Sequence, residues 1–129
     1  MKKKYQRLPD SELDIMLALW QGNSKMSRSE IENIINEKKV LAPTTILSLL
    51  SRLEKKKFVE ITKQGKMNLY SPLISKIEYQ HNESESVLEK LYGNSLKNFV
   101  ASLYQGKTIN PEEIKELNDY IQELSDQEG

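Results

Sequence analysis

Pro43-Thr44-Thr45-Ile46-Leu47-Ser48-Leu49-Leu50-Ser51-Arg52-Leu53-Glu54-Lys55-Lys56-Lys57 sets the architecture of this 129-residue chain. Proline suits a first helical turn, where its missing N–H would have had no intrahelical partner, so a helix is predicted from near Pro43 to about Lys57. At about 100° per residue, with Thr44 as zero, Ser48 falls near 40°, Ser51 near -20°, Lys55 near 20° and Arg52 near 80°, with Thr45 at the margin near 100°. Ile46, Leu49, Leu50 and Leu53 fall between about 140° and 240° on the same wheel. One face is therefore core, and the other carries short hydroxyls followed by cations. Short Thr and Ser side chains let a helix approach base edges in a DNA major groove and can donate or accept hydrogen bonds there. Arg52 and Lys55 suit phosphate or guanine. Taken alone, the same face also fits an ordinary solvated helix surface.

The flanking sequence gives that helix its setting. Upstream, Ser27-Arg28-Ser29-Glu30 reads as a capping box opening a short helix lined by Ile31, Ile34 and Ile35. Before it, Leu8-Pro9-Asp10 signals a first helix in which Leu13, Met16, Leu17 and Trp20 recur at helical spacing until Gly22. Downstream, Phe58 to Lys63 and Lys66 to Tyr70 read as two strands joined by Gln64-Gly65, where glycine supplies the positive φ of a tight hairpin, and Pro72 ends the second. A capped helix crossing into a second, followed by a hairpin, is a helix-turn-helix with a wing. Lys63 and Lys66 would flank the wing tip, where lysines grip phosphates beside a groove or simply aid solubility.

Beyond Ser71 the chain changes character. Ser75-Lys76-Ile77-Glu78 is a second capping box, opening a helix that carries Leu88, Leu91 and Tyr92 and stops at Gly93. Leu96, Phe99, Val100 and Leu103 mark another helix that ends at Gly106, and Asn110-Pro111-Glu112-Glu113 starts the last. In that last helix Ile114, Leu117, Ile121 and Leu124 recur in 3-4-3 steps, the spacing of a helix-packing seam. The seam either meets a second copy of the chain or closes its own lobe. Charge divides at the same boundary: residues 1–72 carry 14 Lys+Arg against 8 Asp+Glu, and residues 73–129 carry 5 against 11. Two domains, 1–72 and 73–129, are predicted, the first facing a polyanion.

Several function classes drop out. With no cysteine there are no disulfides, thiolate metal sites or cysteine nucleophiles. His81 and Glu85 stand four apart, but two ligands do not make a metal site, and His81 reads as a surface residue. No P-loop, dinucleotide fingerprint or Gly-x-Ser-x-Gly elbow occurs, so no catalytic residue, metal or cofactor is assigned and no enzyme is expected. No apolar run reaches the roughly 18 residues of a spanning helix, and Met1-Lys2-Lys3-Lys4 leads into polar sequence. The expectation is a cytoplasmic protein without direct membrane insertion.

The ordered features resemble the penicillinase-repressor family of BlaI/MecI/CopY-like transcriptional regulators over nearly the whole length. They are Leu13-Asp14-Ile15-Met16 with Trp20, Thr45-Ile46 with Leu49, Leu50, Arg52 and Leu53, Lys55-Lys56, Leu69-Tyr70-Ser71, Leu91-Tyr92-Gly93, and Glu113-Ile114 with Glu116-Leu117. The resemblance implies a homodimer whose winged helices bind short dyad operators, whose C-terminal helices intertwine, and which represses by blocking polymerase. It also implies, for β-lactam-responsive members, inactivation by cleavage in the penultimate helix through a membrane sensor protease. Copper-responsive relatives use a C-terminal Cys-x-Cys pair, which this cysteine-free chain lacks. Where the proteolytic branch has a scissile Asn-Phe, the aligned pair here is Ser102-Leu103, and Asn98-Phe99 lies one turn earlier.

The sequence thus predicts a mostly α fold with a small β-hairpin, a winged helix-turn-helix followed by a C-terminal helical dimerisation region. DNA contacts are assigned to Thr44, Thr45, Ser48, Arg52, Lys55, Lys63 and Lys66, and dimer contacts to Ile114, Leu117, Ile121 and Leu124. The partners expected are a double-stranded operator, a second copy of the chain and a sensor protease. Two rival readings are a winged-helix protein-interaction module and a small-molecule-sensing regulator.

Overall fold

A computed structural model of the chain describes residues 5–22 and 25–128; the basic start Met1-Lys2-Lys3-Lys4 lies outside them. The elements run α1 (Asp10–Gln21), α2 (Arg28–Ile35), α3 (Pro43–Lys55), β1 (Val59–Gln64), β2 (Met67–Pro72), α4 (Lys76–Tyr92), α5 (Leu96–Gln105) and α6 (Pro111–Glu128). Among the described residues, six helices and one hairpin occur in the order expected from the sequence. They form two compact units, residues 1–83 and 84–129, so the first continues past Pro72 into the early turns of α4.

In the first unit the local signals operate as their chemistry dictates. Both halves of the α2 capping box form: the Ser27 N–H donates to Glu30 Oε1 at 2.9 Å, and the Glu30 N–H donates to Ser27 Oγ at 3.3 Å. Pro43 occupies the first turn of α3, whose N-cap Ala42 makes no side-chain bond. The helix stops two residues before Lys57, which takes φ +66°. The Phe58 N–H then reaches Leu53 O at 2.9 Å and the Lys57 N–H reaches Glu54 O at 2.9 Å, the paired bonds of a Schellman ending.

The core is Ile15, Met16, Ala18 and Leu19 of α1, Ile31 and Ile35 of α2, Ile46, Leu49, Leu50 and Leu53 of α3, Val59 and Tyr70 of the hairpin and Tyr79 of α4, with Leu8, Met26, Phe58 and Ile74 from the connecting segments. All four apolar positions assigned to the α3 core face are buried. On α1 the apolar stripe is displaced from the expected one, because Leu17 is exposed and Ile15, Ala18 and Leu19 are inside. Glu12 is buried with them and accepts from Lys56 Nζ at 2.5 Å, an ion pair that ties α1 to the end of α3.

The hairpin register pairs Val59 with Pro72, Ile61 with Tyr70 and Gln64 with Met67. Its two central residues are accordingly Gly65 and Lys66, one step later than Gln64-Gly65. Gly65 alone of the pair has positive φ, +66°, as a type II′ turn requires at its first central position. Met26 adds a one-residue bridge to β2, exchanging N–H···O bonds of 2.9 and 2.8 Å with Tyr70.

An N-terminal strap, Tyr5 to Pro9, fastens the first turns of α4. The Leu8 N–H donates to the Tyr79 hydroxyl oxygen at 3.0 Å, Asn82 Nδ2 donates to Tyr5 O at 2.9 Å, the Tyr5 hydroxyl donates to Glu78 at 2.8 Å, and Arg7 pairs with Glu83 at 2.9 Å. Trp20 Nε1 donates to Ile74 O at 2.9 Å, and the Tyr79 ring lies 5.8 Å from Trp20 and 6.0 Å from Phe58. Burial pushes the Tyr79 phenol above its ordinary pKa.

The second unit holds the rest of α4 with α5 and α6. The start of α6 forms as the sequence indicates, Asn110 and Glu113 exchanging bonds of 2.9 and 3.2 Å, and at α5 the structure adds a cap in which Ser95 Oγ accepts from the Asn98 N–H at 3.1 Å. The Tyr92 ring lies edge-on to Phe99 at 5.2 Å, and the Tyr92 hydroxyl reaches Ser102 Oγ at 3.2 Å. Neither α5 nor α6 has a buried residue.

Candidate nucleic-acid interface

The outward side of α3 is polar because its inward side is fully committed to core. Thr44, Thr45, Ser48, Ser51, Arg52 and Lys55 are all exposed, while Ile46, Leu49, Leu50 and Leu53 are at most 4% exposed. Thr44, Thr45 and Ser48 occupy the first half of the helix and Arg52 and Lys55 its last turn. Cations there also complement the negative end of the helix.

Lys63 and Lys66 are exposed on the wing. Because the turn is Gly65-Lys66, Lys66 stands at the tip itself, and Lys63 pairs across the ladder with Asn68. Among the described residues, the ion pairs use Arg7, Arg28, Lys39 and Lys56; Arg52, Lys55, Lys63 and Lys66 enter none of them. The four cations assigned to the interface therefore keep their charge available for an outside anion. Lys56, adjacent in sequence to Lys55, is consumed by Glu12 and holds the helix in place instead.

Glu30 anchors the approach to this surface. The Ser27 backbone N–H, and secondarily its hydroxyl, hold the Glu30 carboxyl below the usual carboxylate range, so the capping box stays charged at neutral pH. Three further residues stand beside the assigned set: Leu47 on α3 and Met67 and Asn68 on β2, all exposed. The helical wheel places Leu47 near -60°, about 40° from Ser51 and next to the polar face. That position was legible in the sequence, but the approach of β2 to it depends on the hairpin register.

The seam residues of α6 divide: Ile114 and Leu117 are half-buried, and Ile121 and Leu124 are 45% and 41% exposed. In α5, Asn98 and Ser102 are exposed and Phe99 and Leu103 half-buried. His81 lies exposed on α4. Among the described residues no cluster of three or more His, Cys, Asp or Glu could hold a metal ion, and no helix is long and apolar enough to cross a membrane.

Comparison with known proteins gives this geometry relatives. The penicillinase repressor of Bacillus licheniformis is 29% identical over 94% of this chain and 94% of its own length. The penicillinase repressor of Staphylococcus aureus is 30% identical, over 97% and 98%. Among solved structures, the monomeric form of B. licheniformis BlaI in complex with the blaP half-operator matches with a TM-score of 0.50 and 30% identity, covering 61% of this chain and 94% of that one. The penicillinase repressor family model matches residues 8–123, and the chain belongs to that family.

Proposed function

We propose that this protein is a sequence-specific transcriptional repressor that binds a double-stranded operator as a homodimer and carries out no catalysis. The observation that supports it best is the face of α3. Exposed Thr44, Thr45 and Ser48 precede Arg52 and Lys55 on a helix whose other side is sealed into the core, in a fold shared with a relative solved on a half-operator. The hydroxyls read base edges, and Arg52, Lys55, Lys63 and Lys66 hold the backbone.

The homodimer is supported by the second unit. Without a buried residue in α5 or α6, an independent core is lacking, and Leu96, Tyr104, Tyr120, Ile121 and Leu124 are between 41% and 56% exposed. An open apolar cleft of about 420 Å³ lies between α5 and α6. Covering these faces with the same faces of a second copy removes the apolar surface from water and sets two recognition helices on an inverted repeat. Release by a sensor protease acting at or near Asn98-Phe99 or Ser102-Leu103 belongs to the same reading, since α5 is a ten-residue helix with no buried residue.

The test is a titration of the full chain against duplex DNA from its own upstream region and against a scrambled duplex, at low and near-physiological salt. Saturable, salt-weakened binding to the first alone, at two chains per duplex, is expected, with Arg52→Ala weakening it and leaving the fold intact. Equal binding to both duplexes removes the operator reading; salt-independent behaviour without DNA retention favours a protein-interaction module, and stabilisation by a small molecule favours a ligand sensor.

A further inference from the structure

A notch of about 240 Å³ opens between the wing, α3 and the start of α2, lined by Leu47, Met67, Asn68, Tyr70, Arg28 and Ser29 among others. Leu47 is 43% and Met67 55% exposed, so two large apolar side chains from different elements face water at one opening. Leu47 borders the hydroxyl face of α3, which makes the notch continuous with the surface that carries Thr44 and Ser51.

DNA offers this notch phosphates, polar base edges, sugar edges and thymine methyl groups. Phosphate is the poorest match. The cation in the lining, Arg28, is already held by Glu32, with Nη1 at 2.9 and 3.2 Å from its two carboxylate oxygens, and that carboxylate itself repels an anion. Ser29 and Asn68 add neutral polar groups to the lining, and the exposed apolar wall is the hydrocarbon of Leu47 and the thioether of Met67, which gain from removing an apolar group from water and gain nothing from a charge. In the major groove the apolar group on a base edge is the thymine C5-methyl.

We propose that Leu47 and Met67 form a thymine-methyl reading site, with Leu47 the specificity-determining residue and Met67 the adaptable wall that closes over the methyl. This rests on the operator reading and adds to it a base identity read without hydrogen bonds. Leu47 is otherwise an anomaly on the outward side of a helix whose core needs are met by Ile46, Leu49, Leu50 and Leu53.

The experiment takes the upstream duplex bound by the wild type and replaces its thymines one at a time with deoxyuridine, which deletes the methyl alone. One thymine per half-site is expected to lose about fourfold in affinity per contact, the worth of one buried methyl-sized group. Leu47→Ala is expected to bind the native duplex about as weakly as the wild type binds the deoxyuridine duplex, and to be indifferent to that same replacement. Met67→Ala should reduce the methyl effect in part. Alanine is the strongest helix former and Leu47 is not buried, so an unchanged melting curve is expected for the variant.

The proposal is overturned if no thymine is sensitive, or if Leu47→Ala remains as sensitive as the wild type at the same position. It is also overturned if Leu47→Ala weakens native and scrambled duplexes alike, the mark of a sugar-backbone contact. Failure of the wild type to prefer its native duplex would instead remove the operator reading on which the site depends.

Discussion

The two units of this chain are built with equal local care and close very differently. Among the described residues up to 83, seventeen hydrophobic side chains are buried to 6% exposure or less, with the strap, four helices and both strands all contributing to one cluster. Residues 84–129 have well-formed caps at both α5 and α6 and not one buried residue in either helix. Capping and helical periodicity are local and can be complete in a chain that is not yet covered; burial is collective. The first unit has a buried core of its own, and the helices α5 and α6 of the second leave apolar side chains exposed.

The largest effect expected is inside the closed unit. Phe58 is 2% exposed and contacts the Tyr5 and Tyr79 rings, so Phe58→Ala should cost about 3–5 kcal/mol in a urea denaturation series. A comparable loss from Leu124→Ala would mean that α6 is as enclosed as α3. The next effect belongs to the open unit and is read as association. Ile121→Lys places a charge on the exposed seam, and sedimentation should then show a monomer at concentrations where the wild type is a dimer, with a cost on the order of 2 kcal/mol. An unchanged mass would leave α6 without a partner helix.

Tyr79→Phe should rank third at about 1–3 kcal/mol, because it leaves the buried Leu8 N–H without its acceptor while keeping the ring packing. The pH behaviour has a definite sign. The Tyr79 pKa is raised by burial in the folded chain, so its contribution is complete below the ordinary phenol value and is lost as pH rises through the folded one. Thermal melts above pH 10 should therefore fall more steeply for the wild type than for Tyr79→Phe.

Much of this was legible in the sequence, for a reason visible in particular residues. Ser27 with Glu30, Ser75 with Glu78 and Asn110 with Glu113 act within four residues, and the α3 wheel needs only a helix and one buried side. Features that depend on a neighbouring element were not. The hairpin shifts by one residue because its ladder aligns Gln64 with Met67, which puts Lys66 at the tip. Leu17, predicted within the α1 stripe, is left exposed on the rim of an open cleft beside Ile34 and Ile35 at the end of α2, and Glu12 is buried with Lys56 as partner. The bond from Trp20 to Ile74 and the bridge from Met26 to Tyr70 join residues 54 and 44 apart, distances at which periodicity carries no signal. The exposed hydroxyl and cation face of α3 was readable on the wheel, whereas the notch between Leu47 and Met67 was not, because two exposed apolar residues of different elements are brought to one opening only by the fold.

The smallest effect compares the units most directly, because both end a helix with the same backbone device. Lys57 and Lys107 take φ +66° and +60°, and each is succeeded by a residue whose N–H reaches back five positions, Phe58 to Leu53 and Thr108 to Leu103, at 2.9 Å. In the second, Gly106 precedes the left-handed position and does not occupy it; a Cβ there would come 3.3 Å from Ser102 O. A lysine at such a φ bears a steric cost that glycine avoids, so Lys57→Gly and Lys107→Gly should each stabilise their helix ends by about 0.5–1 kcal/mol. The two gains should be alike, since the strain is local. The residues just past the two turns should differ: Phe58 is a core residue against buried Leu53, whereas Thr108 is exposed beside half-buried Leu103. Thr108→Ala should therefore change stability by less than about 0.5 kcal/mol where Phe58→Ala costs several. Hydrogen exchange at the Phe58 and Thr108 amides separates the cases: equal acceleration by the two alanine substitutions would mean that the second unit is closed in solution by a surface as complete as the core of the first.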